Sequence, residues 1–424
     1  MVQEKLVSSE KTKKEEGVHQ EKPELQFDDD SIWKEFHFEE LFEIKNGLNK
    51  GKDFFGYGIP ILNYMDVNKN ISNTKESIKG LVDVDENEIK RYNVKPNDLF
   101  FTRTSETSDE IGLTSAYTGE LMDCVFSGFI LRARPIRKDV NSLFFAYYLR
   151  SDKSRNNIIK YSSITTRALI SGSNLYKMKV KMPNINEQNK IANFLSLIDK
   201  KIELLEKKHS EYNQFFDFIL NKIFKQELVF DNKTRWKEVT LNDLGTFYRG
   251  HSYNSSNVVE QGLVVLRSNN IQNNRLIFDD SQLQHVNKDC KNEIKLRKGD
   301  IVICMSNGTK SLVGKSAVYE GNYENNLTVG AFCSIFRSAN PLSKYLLRTT
   351  QYKKNLHIIL AGTNINNLKN EDIKKFKFKI PKDNEDIEKI GVFLGQLELK
   401  QNILNQELFN IKNFKKALLQ KMFI

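Results

Sequence analysis

The chain has 424 residues, 65 Lys and Arg against 54 Asp and Glu, and a net charge of +11. That length argues against one ordinary domain, and the basic balance suits a polyanionic partner without requiring one. Four scattered cysteines (Cys124, Cys290, Cys304, Cys333) form no CxxC pair and sit beside no histidine at metal-ligand spacing, so they read as reduced thiols of a cytoplasmic protein. The opening MVQEKLVSSEKTKKEE lacks the apolar run of a signal peptide. No stretch reaches the roughly 18 apolar residues of a membrane span.

Residues 1–24 are charged and nearly free of large apolar groups, the composition of a disordered tail. From Leu25 onward the chain repeats itself. LQFD at 25–28 returns as LVFD at 228–231, and Trp33 as Trp236. FHFEELFEIKNG, ending at Gly47, returns as VTLNDLGTFYRG, ending at Gly250. VKPNDLFFTRTS at 94–105 faces LRKGDIVICMSN at 296–307, pairing Asp98 with Asp300. FAYYLRS at 145–151 faces SKYLLRT at 343–349, and ISGSNL at 170–175 faces LAGTNI at 360–365. KMP ending at Pro183 faces KIP ending at Pro381. Landmarks kept in one order mean a tandem duplication.

Within each copy, short β-rich runs (IPIL, DLFFT, DIVIC) lie between Gly, Asn, Asp and Ser clusters, with a helical pattern toward the end. Each copy is expected to be an α+β globule with its own core, over 25–183 and 227–381. One long helix follows each globule, over 184–226 and 382–424. In the first, Ile191, Leu195, Ile198, Ile202, Leu205, His209, Tyr212, Phe216, Ile219 and Ile223 alternate steps of four and three, the repeat of a coiled-coil seam. In the second, Ile390, Leu394, Leu397, Leu404, Leu408, Ile411, Leu418 and Met422 keep that spacing, and Gln401 and Lys415 interrupt it. Two such stripes in one chain most simply bury each other as an antiparallel coiled coil, a coil between two chains being the alternative. A helix of this length spans roughly 55–60 Å.

Three motifs that would signal chemistry do not hold. GTKSLVGKS at 308–316 has five residues where a phosphate-binding loop needs four, and its counterpart SDEIGLTSA lacks the lysine, so it reads as a loop entering a strand. Asp83 or Asp85 with Glu88 and Lys90 mimic a nuclease constellation but lie in DVDENEIKRY, which is no strand. The six histidines form no metal-binding pair. No catalytic residue and no metal ligand is assigned.

What remains are polar loops at matching places in both copies. Asn46 and Lys50 correspond to Arg249, His251 and Tyr253. Asn63 and Tyr64, with Asp66, correspond to Arg267, Ser268, Asn269 and Asn270. Thr102, Arg103, Thr104 and Ser105 correspond to Ser306, Asn307, Thr309 and Lys310. Arg, Asn, Ser and Thr pair with base edges, and Lys and Tyr hold phosphates and sugars. The framework is kept between copies while these side chains differ, as two readers of different sequences on one scaffold would.

PELQFDDDSIWKEFHFEELFEIKNG, KGDIVIC…VGKSAVY, GSNLYKMKVKMPNINEQNKIANFLSLIDKKIELL and the closing KIF resemble the DNA specificity subunits of type I restriction-modification systems, from about Glu24 to the end. Pro183, Glu187, Gln188, Ile191, Phe194, Leu195 and Asp199 form the most specific piece of that resemblance. The second copy departs from it, with Asp386 after Glu385 and Glu398 in place of the aspartate. The resemblance implies two target-recognition domains, each reading half of a split site in double-stranded DNA, and paired helices that act as a ruler between them. It implies a subunit without catalysis or cofactor of its own, bound by two methyltransferase subunits that use S-adenosylmethionine. In a restriction form it also implies two restriction subunits that use ATP and magnesium. Two other classes stay open: an accessory DNA-binding subunit of another defence system, and a coiled-coil scaffold whose globules bind proteins.

Overall fold

The structure, a computed structural model, describes residues 22–164, 166–323, 326–362 and 366–424. All but the last three residues of the expected tail lie outside these. The chain divides into two compact units, Met1–Leu205 with Glu407–Ile424, and Glu206–Gln406. Each unit holds one globule and a portion of both long helices, Ile185–Phe224 and Asn384–Met422.

The first unit is built on a five-stranded sheet. Its order is Phe42–Asn46, Ile130–Pro135, Leu99–Thr102, Thr114–Tyr117, Ser72–Asn73, antiparallel except at the last pair. Leu99, Phe100, Phe101 and Thr102 are all buried, which explains why that strand reads as an unbroken run: it is covered on both faces. One face packs on Phe38, Phe42, Phe144 and Phe145, and Phe38 stacks on Phe42 at 4.6 Å. A second sheet joins Gly80–Val82, Phe55–Leu62 and Val125–Phe126. The helical pattern near the end of the copy becomes Ser142–Tyr148 and Asp152–Lys160.

The second unit repeats this plan. Gly245–Arg249, Cys333–Ser338, Ile301–Cys304 and Ser316–Val318 form its main sheet, and Phe247 stacks on Phe336 at 4.4 Å. One landmark pairs differently from the sequence reading. The Ile170 N–H donates to the Arg103 carbonyl (3.0 Å), and the residue doing the same to Met305 is Leu368 (2.7 Å). ISGSNL at 170–175 is therefore matched by LKNEDI at 368–373, not by LAGTNI, whose last three residues lie outside the described ones. The two strings share a Gly-x-Asn pattern, which shifted the sequence match by eight positions.

GTKSLVGKS forms a short turn and then the strand Ser316–Val318, and the Lys315 ammonium donates to the Ile271 carbonyl (2.8 Å). Asp85 and Glu88 cap the helix Glu86–Tyr92 reciprocally, Asp85 accepting from the Glu88 N–H (2.8 Å) and Glu88 from the Asp85 N–H (3.0 Å). Their spacing serves a capping box.

Every seam position of both helices is buried or half-buried, including Ile191, Leu195, Ile198, Ile202 and Leu205 on the first and Leu394, Leu397, Leu404, Leu408 and Ile411 on the second. Asp199 pairs with Lys415 in the first unit, and Asn213 bonds Gln401 in the second, so the helices run antiparallel. The two residues that interrupt the seam thus each meet a polar partner, which fixes register. The outer faces are not wholly charged: Leu197, Leu204, Phe218, Val392, Leu399 and Phe409 are each more than half exposed.

The Glu-Gln signature holds helix to globule. Gln188 is fully buried. Its amide donates to the carbonyls of Asp139 (3.0 Å) and Pro183 (2.9 Å) and accepts from the Asn141 N–H (2.9 Å). Glu187 accepts from the Phe27 N–H (2.6 Å), and burial pushes its carboxyl above the usual range. In the second copy Glu385 is exposed and pairs with Lys389 on its own helix. The downstream acid is kept in kind, since Asp199 accepts from the Tyr147 hydroxyl (2.8 Å) and Glu398 from the Tyr345 hydroxyl (3.2 Å).

Candidate nucleic-acid interface

In each unit the three loops expected from the sequence are gathered around one short turn. In the first unit this turn is Ser127-Gly128-Phe129. The Leu48 N–H donates to the Phe126 carbonyl (2.8 Å) and the Gly128 N–H to the Leu48 carbonyl (2.7 Å), tying in the 46–50 loop. The Ser127 N–H donates to the Leu62 carbonyl (2.9 Å), just before Asn63. The Arg103 N–H donates to the Phe129 carbonyl (3.1 Å).

The second unit repeats the wiring at Gly330-Ala331-Phe332. The His251 N–H donates to the Val329 carbonyl (2.7 Å), and the Gly330 N–H to the Leu266 carbonyl (2.8 Å). Met305 and Ser306 donate to the Phe332 carbonyl (2.8 and 3.2 Å). These bonds are made by backbone alone, so they do not depend on which side chains the loops carry. Two glycines make the approach possible. A Cβ on Gly47 would lie 2.2 Å from the Ser127 carbonyl oxygen, and one on Gly250 would lie 2.1 Å from that of Gly330. These are the glycines that close FHFEELFEIKNG and VTLNDLGTFYRG.

The expected site residues divide by exposure. Asn46, Arg249, Arg267, Asn269, Thr309 and Lys310 are exposed, and Lys50, Asn63, Tyr64, Arg103, Thr104, Tyr253, Ser268, Ser306 and Asn307 are half-buried. Four are buried and serve the frame. The Thr102 hydroxyl, fully buried, donates to the Glu110 carbonyl (2.8 Å) and accepts from the Leu113 N–H (2.8 Å). Asn270 accepts from the Arg267 N–H (2.8 Å) and donates to the Ile277 carbonyl (3.3 Å). Ser105 accepts from the Thr107 N–H (3.2 Å), and His251 lies in the bridge to Gly330. Thr102, Ser105 and Asn270 are enclosed by their own loops and have no face to offer a partner.

Others touch across loops. Asn307 donates to the Ser268 hydroxyl (3.0 Å), joining two of the loops in the second unit. The Tyr64 hydroxyl reaches Glu110 (3.4 Å) in the first. The Lys50 ammonium is held by Glu88 (2.6 Å) and the Asp83 carbonyl (2.7 Å), so its charge is already answered within the unit. The backbone bonds also refine the match between copies: Arg103 corresponds to Met305, and Thr104 to Ser306.

A cationic cleft of about 640 Å³ opens beside this cluster in the first unit, lined by Lys45, Asn46, Lys90, Arg91, Lys95, Arg132 and Arg134, with no carboxylate among the described residues that line it. At its floor Arg134 pairs with buried Asp98 (2.7 Å), and Arg132 and Arg134 both donate to the Asn93 carbonyl. Burial, then the neighbouring Arg134, draws the Arg132 guanidinium below its ordinary range, and its Nε lies buried with no partner among the described residues. No group of three His, Cys, Asp or Glu among the described residues is placed to hold a metal ion, and no described helix is long and apolar enough to cross a membrane.

Residues 31–214 and 233–413 match the family of type I restriction modification DNA specificity domains. The chain belongs to that family, and its two matched segments are the two copies of the duplication. It is 32% identical to the StySPI specificity subunit of Salmonella potsdam over 196 residues, 43% of this chain and 42% of that protein. To the EcoKI specificity subunit of Escherichia coli K12 it is 30% identical over 196 residues, covering 43% and 41%. The matched stretch thus spans less than half the length of either relative. Among solved structures, the S subunit of a type I restriction-modification system from M. genitalium shares the fold with a TM-score of 0.59, over 95% of this chain and 99% of that one, at 18% identity. A chain from a structure describing complex assembly of the type I system shares it with a TM-score of 0.52, over 92% and 97%, at 14% identity.

Proposed function

We propose that this chain is the sequence-specificity subunit of a type I restriction-modification complex, reading a split site in double-stranded DNA. Residues 25–183 and 227–381 are the two target-recognition domains, and 184–226 and 382–424 the helices that set the gap between half-sites. One observation carries the reading: each unit gathers three loops of different side chains around the same backbone-wired turn. A fixed frame with variable polar loops suits two readers of two sequences. Chemistry is left to the partners, two methyltransferase subunits that use S-adenosylmethionine and, in a restriction form, two restriction subunits that use ATP and magnesium. The exposed apolar side chains on the helices, such as Leu204 and Leu399, supply surface for docking them.

Adenine methylation mapped by single-molecule sequencing, in cells carrying a methyltransferase with and without this chain, tests the proposal. The expected outcome is a split motif with a fixed gap, present only with the chain. A methyltransferase complex that forms but marks no motif would overturn it. Arg103→Ala is expected to relax one position of the first half-site and leave the second unchanged, because a base contact specifies while a phosphate contact only positions. Equal weakening on all DNA would make Arg103 a phosphate clamp.

A further inference from the structure

The turn that gathers the loops ends in a phenylalanine in both units. Phe129 is 65% exposed and Phe332 69% exposed. They are structural counterparts, because each offers its carbonyl to the loop that follows the central strand, at Arg103 and at Met305. A single exposed aromatic is ordinary on any surface. Two at the same point of a duplicated scaffold are not, because the side chains around them have changed. Leu48 in one unit stands opposite His251 in the other, Arg103 opposite Met305, Lys50 opposite Tyr253.

Core packing does not account for the retention, since both rings point out of their cores. The backbone bonds of the turn do not require an aromatic either, since they use only N–H and carbonyl groups. The partner must therefore supply the reason. Apart from buried Leu48 and Met305, each ring rises from a cluster of hydrogen-bonding and cationic side chains, with Asn49 against Gly128 in the first unit and Tyr253 against Gly330 in the second. A surface that is polar and basic around one apolar ring matches a partner that is anionic outside and carries flat apolar faces and methyl groups inside, which is the chemistry of a DNA duplex.

We infer that Phe129 and Phe332 are base-contacting residues, each pressing its ring on the bases of one half-site. The inference rests on the proposed reading of split DNA sites. It adds the element common to both units, where the polar loops supply what differs. The contact is apolar, so it contributes to affinity without contributing to salt dependence.

The test uses the full chain in complex with its methyltransferase, on the split site that the wild type marks and on a scrambled duplex of equal length. Phe129→Ala is expected to weaken binding to the marked site by roughly tenfold to a hundredfold. Binding to the scrambled duplex and the salt slope should stay unchanged. Phe129→Trp should retain most of the affinity, and Phe332→Ala should act likewise through the second half-site. Thermal unfolding of the alanine variants should match the wild type, because neither ring is buried. Undiminished binding by both alanine variants would overturn the inference, as would equal losses on the marked and scrambled duplexes. Failure of the wild-type complex to mark any site would instead overturn the reading beneath it.

Discussion

The two units place the same ion pair at the same point and surround it differently. Arg134 grips Asp98, and Arg337 grips Asp300, each through two nitrogens at 2.7–2.8 Å. In both, the carboxylate also accepts the N–H three residues before it, from Lys95 and from Arg297. Two strand positions beside that pair are reversed in character. The first unit has Arg132 opposite Lys45, whereas the second has Ile335 opposite Tyr248, whose ring lies under Arg337 at 4.9 Å. One unit therefore carries an open cationic cleft where the other carries a closed apolar seat. Duplication preserved the pair that aligns the strands and released the positions beside it.

The largest effect expected from this difference comes from removing the shared carboxylate. Asp98→Asn leaves two neighbouring guanidiniums without their buried counter-charge, and breaking such a buried pair costs about 3–5 kcal/mol. Asp300→Asn leaves one guanidinium over a tyrosine ring and is expected to cost clearly less. Urea denaturation of each variant checks this, and equal midpoints would mean that Arg132 does not feel the loss. Restoring part of the stability of Asp98→Asn with Arg132→Ile would sharpen the point.

A smaller effect, the same in both units, is expected from Gly47→Ala and Gly250→Ala. Each methyl meets a backbone carbonyl that cannot swing aside, so overpacking should cost about 1–3 kcal/mol. Each should also degrade recognition of one half-site alone, read from the methylation map. Loss of both half-sites from either change would show that the units are not independent readers.

The smallest is a pH effect confined to the second unit. Burial, then the charge of Lys288, holds the His251 imidazole below its ordinary range, and its counterpart Leu48 does not titrate. The unfolded chain then binds the proton more readily, so stability falls as pH drops below about 6.5, the ordinary imidazole value, and is unaffected above it. Thermal unfolding between pH 5 and 8 should show this slope in the wild type and a flatter one in His251→Leu. An unchanged slope would assign the acid sensitivity elsewhere.

Much of this architecture was legible in the sequence because it is written in periodic apolar positions. The seam is an example, and so is the duplicated frame from Trp33 to Pro183. Even the seam breakers Gln401 and Lys415 were visible, although their partners Asn213 and Asp199 were not, since those lie far away in the chain. The gathering turn was illegible for a different reason. Ser127-Gly128-Phe129 and Gly330-Ala331-Phe332 share little sequence and act through backbone groups, which every residue has. Side-chain chemistry drew attention instead to Thr102, Ser105 and Asn270, whose polar groups are spent inside their own loops. The eight-position slip at LAGTNI has a similar origin, because short polar strings share side chains by composition alone, and the backbone bond to Met305 settles the register.

The first unit is closed by residues that lie beyond the whole of the second. Phe423 sits against Trp33, Phe144 and Tyr148, and the Lys421 carbonyl accepts from the Leu25 N–H. On the ribosome, the globule made first therefore waits, with Trp33 partly uncovered, until some two hundred later residues have emerged. Closing so long a loop is slow compared with local folding. A chain interrupted during synthesis would leave that aromatic face uncovered.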